Sequence, residues 1–399
     1  MSKKPGAVLV GCVLALLAAI ALGVSFGTDP VSVVTAVLDP ASRDHDIVFE
    51  VRLPRVLLAA LAGAGLSIVG VALQALLRNP LAEPFVLGVS GGSAFGATLA
   101  ILFGLTGATV LGASLVPIAA LAGGVGATVL VHAFASAANE SRGTSVLLSG
   151  IVVNAIASAA ITFLKTLVVP AKAQELLFWL MGFLDVPSRA SLVALAVYMA
   201  IGSSILLYDA ARLNILSLGD EAAEHLGVRV RAVEIRTMLA SSLVVGAIVS
   251  VTGLIGFVGL IVPHVLRRLL GADTRVLMPA SLGLGGAALV LCDLVSRGSF
   301  RWLHVEPPVG AVTALIGGPL FCCCDVASRE RAGAAQNEAP SAPPAAPRAA
   351  HGVKRRAPVR SGPVGSRKCQ ISPAAVTPRP TPVTIRPSVG CDSARPASS

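Results

Sequence analysis

One short stretch of the sequence has the residue types of a serine nucleophile. Residues 88–92 read Gly-Val-Ser-Gly-Gly, which fits the G-x-S-x-G pattern around the attacking serine of many hydrolases and makes Ser90 the candidate. That pattern needs a strand, a sharp turn and a helix around it, and the sequence offers no such context. The general base would be His132 or His264, and the sequence alone does not indicate which residue would orient either ring. A serine hydrolase acting inside a membrane is therefore an alternative function and not the leading one.

Other catalytic and metal-binding signatures are absent from the sequence. There is no H-E-x-x-H pair of zinc ligands, and the phosphate-binding G-x-x-x-x-G-K-[ST] motif is missing, as is any Gly-Lys dipeptide. None of the seven cysteines forms a C-x-x-C pair with a second pair or a histidine at zinc spacing. We expect no catalytic residue, no metal and no cofactor. Any ATP that powers the protein is then hydrolysed by a separate subunit.

The candidate residues lie in a sequence that is too apolar for a soluble domain. Of the 399 residues, 54% are hydrophobic and 13% are charged, and the mean hydropathy is +0.81. Soluble proteins carry roughly 25% charged residues, and about 20 apolar residues are needed to cross a bilayer. The candidate spans are residues 7–27, 56–77, 85–104, 110–136, 144–168, 190–208, 237–253, 254–270, 277–296 and 309–326. We predict an all-α, polytopic membrane protein with about ten transmembrane helices.

Small residues recur at four-residue intervals inside these spans. Two such series are Ala59, Gly63 and Ser67, and Ala119, Gly123 and Ala127. Small side chains let helix backbones approach closely where lipid provides no hydrophobic drive between helices. The third span opens with the glycine- and serine-rich residues 88–93, and irregular backbone at membrane depth survives only when it is buried in protein or lines a cavity. The pattern predicts a packed bundle and not a set of separate anchors.

The net charge of +10 is unevenly distributed along the chain. Residues 1–327 hold 19 Lys and Arg against 18 Asp and Glu, a net of +1, whereas residues 328–399 hold 12 against 3, a net of +9. The later stretch is rich in Pro, Ala, Ser and Arg without apolar periodicity, which predicts a disordered tail. We therefore divide the chain into a membrane domain, 1–327, and a basic tail, 328–399, and expect no nucleic-acid partner.

The positive residues of the membrane domain predict its orientation. With the N-terminus inside, eleven Lys and Arg residues lie on the cytoplasmic side and seven lie outside. The positive-inside rule then places the N-terminus in the cytoplasm, and ten spans bring the C-terminus to the same side.

The longest predicted cytoplasmic connection contains a signal for a short helix. In the segment 218–227, Asp220 is a suitable N-cap, Glu221 favours the positive end of a helix and Gly227 favours its termination. The apolar residues of this helix, too few to insert into lipid, are Ala222, Ala223 and Leu226. A short capped helix suits docking into a partner's groove, and an ordinary solvated connector explains the pattern equally well.

Three blocks of sequence carry a resemblance to a known family. The first comprises Arg52-Leu53-Pro54-Arg55, Gln74 and the segment 78–84, which reads Arg-Asn-Pro-Leu-Ala-Glu-Pro. The second is the segment 218–227, and the third spans 253–275, followed by Asp293, Arg297, Pro308-Val309-Gly310 and Gly317-Gly318-Pro319. With these motifs in order, the chain resembles the FecCD-type permeases of ATP-binding cassette importers. That family imports iron-siderophore complexes, haem and cobalamin, and the motifs do not distinguish among them.

The resemblance implies a type II importer fold of ten spans in a bacterial inner membrane, surrounded by lipid. It also implies three protein partners: a second permease chain in a homodimer, two cytoplasmic ATPase subunits and an extracytoplasmic substrate-binding protein. The ATPase subunits would grip a coupling helix formed by Leu218, Gly219, Asp220, Glu221, Ala222, Ala223, Leu226 and Gly227. The binding protein would present acidic residues to Arg52 and Arg297, which we expect to be exposed guanidinium forks.

Several residues inside the spans have either a transport or a packing role. They are Gln74, Ser90, Gly91, Gly92 and Asn154. An ion-driven secondary transporter is a further alternative function. It would require several buried carboxylates, and Asp293 is the one candidate that the predicted spans contain.

Two places depart from the family pattern. Residues 306–310 read Glu-Pro-Pro-Val-Gly where the family has Leu-Pro-Val-Gly after the glutamate. The stretch between Arg297 and Glu306 is also slightly long, which makes the docking role of Arg297 less secure than that of Arg52. The family continues with aliphatic residues after Phe321, where this chain has three consecutive cysteines. Because leucine codons CTG read one base out of frame give TGC cysteine codons, we hypothesise that the tail is a frame-shifted extension. A genuine disordered tail is the alternative.

Overall fold

The chain folds into a bundle of α-helices. The structure, a computed structural model, describes residues 5–105, 109–110, 113–137 and 142–320. Its helices are α1 (Pro5–Ser25), α2 (Val33–Leu38), α3 (Arg43–Asp46), α4 (Leu53–Leu76), α5 (Val89–Leu102), α6 (Leu115–Ala137), α7 (Arg142–Thr166), α8 (Pro170–Leu180), α9 (Arg189–Leu216), α10 (Asp220–His225), α11 (Val230–Thr252), α12 (Val258–Leu270), α13 (Thr274–Leu303) and α14 (Val309–Leu320). A π-helical turn, Ile47–Arg52, joins α3 to α4, and Thr109–Val110 pairs with Ala113–Ser114 in a minimal antiparallel ladder. The prediction of an all-α fold is confirmed.

Seven helical segments in the described part of the chain are long and apolar enough to cross a membrane. They are α1, the continuous segment Arg43–Leu76, α6, α7, α9, α11 and α13. Three other predicted spans contain the shorter helices α5, α12 and α14. α5 and α12 begin four residues later than predicted, because Gly88 before α5 and Phe257 before α12 have left-handed backbone. α14 begins at the predicted residue, Val309, directly after two prolines. The count of ten spans is not confirmed.

The predicted break in the apolar stretch 237–270 is present. α11 ends at Thr252, and Gly253 follows with φ of +67°, a backbone conformation that favours glycine. The chain then runs without helix to Phe257, whose φ of +69° is an uncommon conformation for a bulky residue. Because the break interrupts the apolar run, α12 begins inside the bundle and contacts α4 and α13.

α4 is the central helix of the bundle, with 89% of its most apolar window buried. It crosses α13 at Gly63, where a Cβ would collide with the carbonyl oxygen of Gly285, and Ser67 lies against the same glycine. One turn further along, a Cβ on Gly70 would collide with the carbonyl oxygen of Gly259 in α12. The small residues predicted to permit close helix contact are therefore used for that purpose.

α5 and α6 pack through the second predicted series of small residues. Gly92 of α5 lies against Gly123 and Ala127 of α6, and Gly96 lies against the carbonyl oxygen of Ala119. Any larger side chain on either glycine would push the two helices apart, since the contacts are to backbone atoms. The glycine-rich opening of the third span is thus explained by packing.

The bundle has two polar ends, which we name by one residue each. At the Arg55 end lie the end of α1, the start of α4 and the last turns of α13, which Arg55 contacts through Asp293. At the Asp220 end lie the end of α4, the end of α9, the helix α10 and the start of α13. α9 connects the two ends, because Arg189 in its first turn pairs with Glu50 near the Arg55 end.

Candidate functional site

The short helix α10 stands at the Asp220 end between α9 and α11. Gly219 and Gly227 flank it with φ of +120° and +81°, conformations that glycine adopts without a steric penalty. The N–H of Gly227 donates to the carbonyl of Glu224 at 2.9 Å, and the N–H of Val228 donates to that of Ala223 at 3.0 Å. These two bonds form a Schellman motif, which satisfies the last carbonyls of a helix. The predicted termination of the helix at Gly227 is confirmed.

The predicted N-cap role of Asp220 is wrong. Gly219 occupies the N-cap position, and Asp220 is the first residue of α10. The carboxylate of Asp220 forms an ion pair with Arg78, which follows the end of α4. The Asp220 side chain makes this tertiary contact instead of capping the helix. Arg78 lies beside it because the backbone at Arg78 is left-handed, with φ of +50°. Glu221, in the first turn, is exposed and complements the helix dipole as predicted.

The apolar side chains of α10 and its flanks divide between the bundle and the outside. Ala223 is completely buried, which fixes one face of the helix on the bundle. Leu218 and Leu226, on either side of the helix, are 69% and 61% exposed. Two exposed leucines on a rigidly held helix form a small apolar surface of the kind that docks into a groove. We call Leu218, α10 and Leu226 the coupling surface.

A second set of contacts fixes the base of the coupling surface. Asn214, near the end of α9, donates its side-chain amide to Asp273 at 2.5 Å and accepts from the N–H of Thr274 at 2.8 Å. Asp273 also accepts from the N–H of Arg275 and so caps α13. The Asn214 amide and the Arg275 N–H together lower the pKa of Asp273 below its usual value. α9 and α13 are therefore held together at this end.

A buried carboxylate in α9 was not predicted from the sequence. Asp209 is fully buried and accepts from Arg236 of α11 through both oxygens at 2.8 Å, and from Arg212 at 2.8 Å. The guanidinium of Arg212 also lies 4.4 Å from the ring centroid of Tyr208. The expectation that Asp293 is the one buried carboxylate in a span is wrong. α9 continues past the predicted span to Leu216 because the two arginines satisfy this charge.

At the Arg55 end, the expected exposure of Arg52 is wrong. Its residue surface is only 4% exposed, and its guanidinium donates to the carbonyls of Val24 and Ser25, each at 3.1 Å, and of Asp29 at 2.5 Å. The last carbonyls of a helix have no partner within it, and Arg52 satisfies those of α1. The side chain is buried because α1 ends beside it.

Arg297 is also buried, with 4% of its surface exposed. It donates to the carbonyl of Gly23 at 3.1 Å and to that of Phe26 at 3.3 Å, so it meets the same end of α1 as Arg52. Its Nε lies 2.9 Å from Asp293, one turn earlier in α13. The structure thus brings the two predicted docking arginines together, around the end of α1 and away from solvent.

Arg55 completes a charged network at this end. It donates to Asp293 at 3.0 Å and to Glu306 at 3.1 Å, so two carboxylates and two arginines alternate from Glu306 to Arg297. Asp293 is fully buried between the arginines, as a charge within a membrane helix must be paired. The network was not predicted, although the spacing of Asp293 and Arg297 by four residues is a usable signal for their contact.

A cavity of about 620 Å³ opens beside this network. Its polar lining includes Arg55, Glu306, Glu175 and Asp185, and its apolar lining comes from α5, α6, α8 and α11. Three aromatic residues line it: Phe178, Trp179 and Phe183. Among the described residues, no group of three or more His, Cys, Asp or Glu side chains is arranged to hold a metal ion. The cavity thus offers aromatic and charged groups without a metal centre of that kind.

Gln74 is a packing contact between helices. It is 3% exposed, its amide donates to the carbonyl of Gly259 at 3.3 Å, and its carbonyl accepts from Arg267 at 2.5 Å. Glu83, after α4, accepts from the N–H of Phe257 at 2.5 Å, which holds the left-handed turn before α12. Burial raises the pKa of Glu83, and the hydrogen bond from Phe257 partly opposes this. Both side chains tie α12 to α4 and the chain after it.

Ser90, Gly91, Gly92 and Asn154 come together where α5 begins. Asn154 of α7 accepts from the N–H of Gly91 at 3.0 Å and donates to the carbonyl of Phe85. Ser90 is 3% exposed and its hydroxyl donates to the same carbonyl at 3.2 Å. A 3₁₀ turn and not a strand precedes this serine, so the nucleophile setting is absent here. These residues, predicted to line a path or to pack, make packing contacts.

Comparison with known proteins gives a consistent result. The model of the FecCD transport family matches residues 11–325. The chain is 41% identical to the cobalamin import system permease protein of Halobacterium salinarum, over 69% of this chain and 72% of that one. It is 37% identical to the hemin transport system permease protein of Yersinia pestis, over 70% and 83%. A solved inward-facing metal-chelate type ABC transporter superposes with a TM-score of 0.72 at 34% identity, covering 80% of this chain and 99% of that one.

Proposed function

Because the chain belongs to the FecCD transport family, we propose that it is the permease subunit through which an ATP-driven importer moves a metal chelate across a bacterial inner membrane. The cargo belongs to the class of iron-siderophore complexes, haem and cobalamin. The resemblance to a cobalamin permease and to a hemin permease is of similar strength, so neither relative selects one cargo for this chain. The chain performs no hydrolysis itself and acts as a membrane subunit of a larger assembly.

One observation carries this proposal: the coupling surface is an exposed apolar surface on a rigidly anchored helix. The ion pair of Asp220 with Arg78, the burial of Ala223 and the Schellman motif at Gly227 fix α10 on the bundle. Leu218 and Leu226 then project from a helix that cannot move independently of α4, α9 and α11. A cytoplasmic ATPase subunit that receives these leucines in a groove would transmit its closure to the membrane helices.

The proposed assembly follows from that surface. The Asp220 end faces the cytoplasm, where the ATPase subunits lie, and the N-terminus of α1 lies on the same side. The Arg55 end faces outward, toward a substrate-binding protein. A second copy of the chain completes the transport path, and α7 has an exposed apolar face for such a neighbour, with Ile156 and Phe163 60% and 64% exposed. Alternation between inward- and outward-facing states would be biased by the ATPase and the binding protein.

The docking role of Arg52 and Arg297 stays a prediction, in a changed form. Both guanidinium groups are occupied by the carbonyls at the end of α1. We propose that they shape the outer surface by fixing α1, and that acidic residues of a binding protein meet this end of the bundle. Because a charge reversal at Arg52 would free the end of α1, Arg52→Glu is expected to reduce both binding-protein association and stability.

The coupling surface is tested with two matched aspartate substitutions. Leu226→Asp puts a charge on the proposed ATPase contact and is expected to weaken ATPase association about tenfold or more, as at an interface hot spot. Leu38→Asp makes the same change at a leucine that is 77% exposed at the other end of the bundle, and ATPase association should be unchanged. Co-purification of the ATPase subunit and uptake into proteoliposomes measure the effect.

Two results would contradict the proposed function. If Leu226→Asp and Leu38→Asp bound the ATPase subunit equally well, the coupling surface would not be the site of ATPase contact. Uptake of cobalamin, haem or a ferric siderophore by proteoliposomes that contain the chain and binding protein without an ATPase would favour a secondary transporter instead.

A further inference from the structure

The cluster around Asp209 has a geometry that its stabilising role does not require. Asp209 is fully buried, yet the side chains of Arg212 and Arg236 remain 37% and 39% exposed. Arg236 uses Nε and one Nη to hold Asp209, and no described residue accepts from its other Nη. Arg212 also donates to the hydroxyl of Tyr208 at 3.2 Å. One carboxylate therefore orients two guanidinium groups and leaves a net charge of +1 at the surface.

The surface around this cluster is apolar and faces away from the bundle. Tyr208 is 66% exposed, Leu239 of α11 is 50% exposed and Val129 of α6 is 58% exposed. Such exposed apolar residues on membrane helices contact lipid chains, and tyrosine and arginine beside them mark the level of the headgroups. Arg212 lies about one turn before the end of α9, which is the depth expected for a headgroup contact.

A narrow groove lies between α6 and α11. It has a volume of about 150 Å³ and is lined by Thr128, Val129, His132, Ile235, Met238 and Leu239. Ile235 and Leu239 flank Arg236 in α11, so the groove lies on a face of α11 next to the one that carries the exposed guanidinium. The lining is mainly aliphatic, which suits a hydrocarbon chain and does not suit a soluble anion.

We propose that this face binds one anionic phospholipid with a phosphodiester headgroup. Its phosphate lies on Arg212 and Arg236 with Tyr208 beside it, and an acyl chain follows the groove between α6 and α11. The net charge of +1 matches the single negative charge of a phosphodiester, and guanidinium groups bind phosphate oxygens through paired hydrogen bonds. The observations favour lipid over a protein partner because the charged groups are surrounded by exposed aliphatic side chains. The inference is independent of the direction of transport and of the cargo.

The proposal is tested by lipid retention on the purified full-length chain. Detergent-solubilised protein is mixed with equal amounts of dioleoyl phosphatidylglycerol and dioleoyl phosphatidylcholine, and native mass spectrometry counts the lipids that remain bound. We expect phosphatidylglycerol to be retained in excess, and Arg236→Gln to reduce its binding about fivefold, the contribution of one arginine near a lipid surface. Arg231→Gln, an exposed arginine of α11 outside the cluster, should leave retention unchanged.

A second variant keeps the proposal testable if Arg236→Gln fails to fold. Leu239→Trp fills the groove and keeps Asp209, Arg212 and Arg236 as they are in sequence, and it should also reduce phosphatidylglycerol retention. Equal retention of the two lipids, or equal losses in Arg236→Gln and Arg231→Gln, would overturn the proposal. If glycerol phosphate displaced the lipid at a comparable concentration, the two arginines would form a site for a soluble anion and not for a lipid. Loss of ATPase association with unchanged lipid retention in Arg236→Gln would assign the face to a protein partner.

Discussion

Asp293 illustrates how single charges are accommodated in this membrane helix bundle. It is fully buried between Arg55 and Arg297, and the described residues give neither arginine a second fully buried carboxylate as a partner. Asn at position 293 would keep the shape and remove the charge, leaving two cations facing each other in a poorly solvated site. Breaking a buried pair in this way costs about 3–5 kcal/mol. We predict that Asp293→Asn lowers the free energy of unfolding by that amount, measured by thermal or denaturant unfolding in detergent.

A matched pair at the same end provides the control for Asp293. Glu50 pairs with Arg189, but both side chains are more than half exposed. Exposed ion pairs contribute about 0–1 kcal/mol, so Glu50→Gln should change stability by less than ~1 kcal/mol. If the two substitutions had similar effects, the Asp293 network would be no more than a surface ion pair.

Asp273 gives a pH dependence whose sign follows from its contacts. Its pKa in the folded protein is lowered, by the Asn214 amide first and by the Arg275 N–H second, relative to about 3.9 in an unfolded chain. The stabilising contribution is therefore complete above pH ~4 and is lost as the pH falls through the folded-state pKa. We predict that Asp273→Ala is less stable than wild type at neutral pH by about 1 kcal/mol, the value of a helix cap. The difference should shrink below pH ~4 in parallel unfolding curves.

Helix packing in this protein depends on backbone contact at a few glycines. Gly70 of α4 touches the backbone of Gly259, whereas Gly126 of α6 has no atom near the position of an added Cβ. We predict opposite effects for the same substitution: Gly70→Ala separates α4 from α12 and destabilises the protein by about 1–3 kcal/mol, as overpacking does. Gly126→Ala should be neutral or stabilising by up to about 1 kcal/mol, since alanine favours helix. The unfolding midpoints of the two variants, each compared with wild type, measure these opposite changes in stability.

Individual elements also show how far the sequence predicts the structure. Apolar run length located α4, α9 and α11, and the four-residue spacing of small residues predicted that α4 and α6 pack closely on other helices, because both signals are local to one helix. Which helices they contact was not predicted. The burial of Arg52 was not predicted, since its partners are carbonyls that become available only where α1 happens to end. The role of Asp220 was mistaken for the same reason: a local cap was outcompeted by Arg78, which is distant in sequence.

At the scale of the whole molecule, paired charges lie at both ends of an apolar bundle. Asp293 with its arginines fixes α1, α4 and α13 at one end, and Asp209 with its arginines fixes α9 and α11 at the other. Each cluster joins helices that the chain connects only through long segments. We expect a bundle joined in this way at both ends to transmit a displacement of α10 to the Arg55 end by rigid-body motion of its helices. This is the property that an ATP-driven permease requires.

The charge balance of the molecule predicts which part of the chain is needed for transport. Residues 1–327 carry a net charge of +1 and the tail from 328 carries +9, and the family model matches residues 11–325. A chain that ends after residue 327 retains both charged clusters and all the helices of the residues that the structure describes, so we predict unchanged uptake and unchanged unfolding temperature. A chain that ends after Pro308 lacks α14 and its contact of Gly317 with Phe257, and it should lose uptake. Uptake by proteoliposomes of the two truncated chains, beside the full chain, measures this. Loss of uptake by the chain that ends after residue 327 would show that the basic tail is a working part of the importer and would contradict the frame-shift hypothesis.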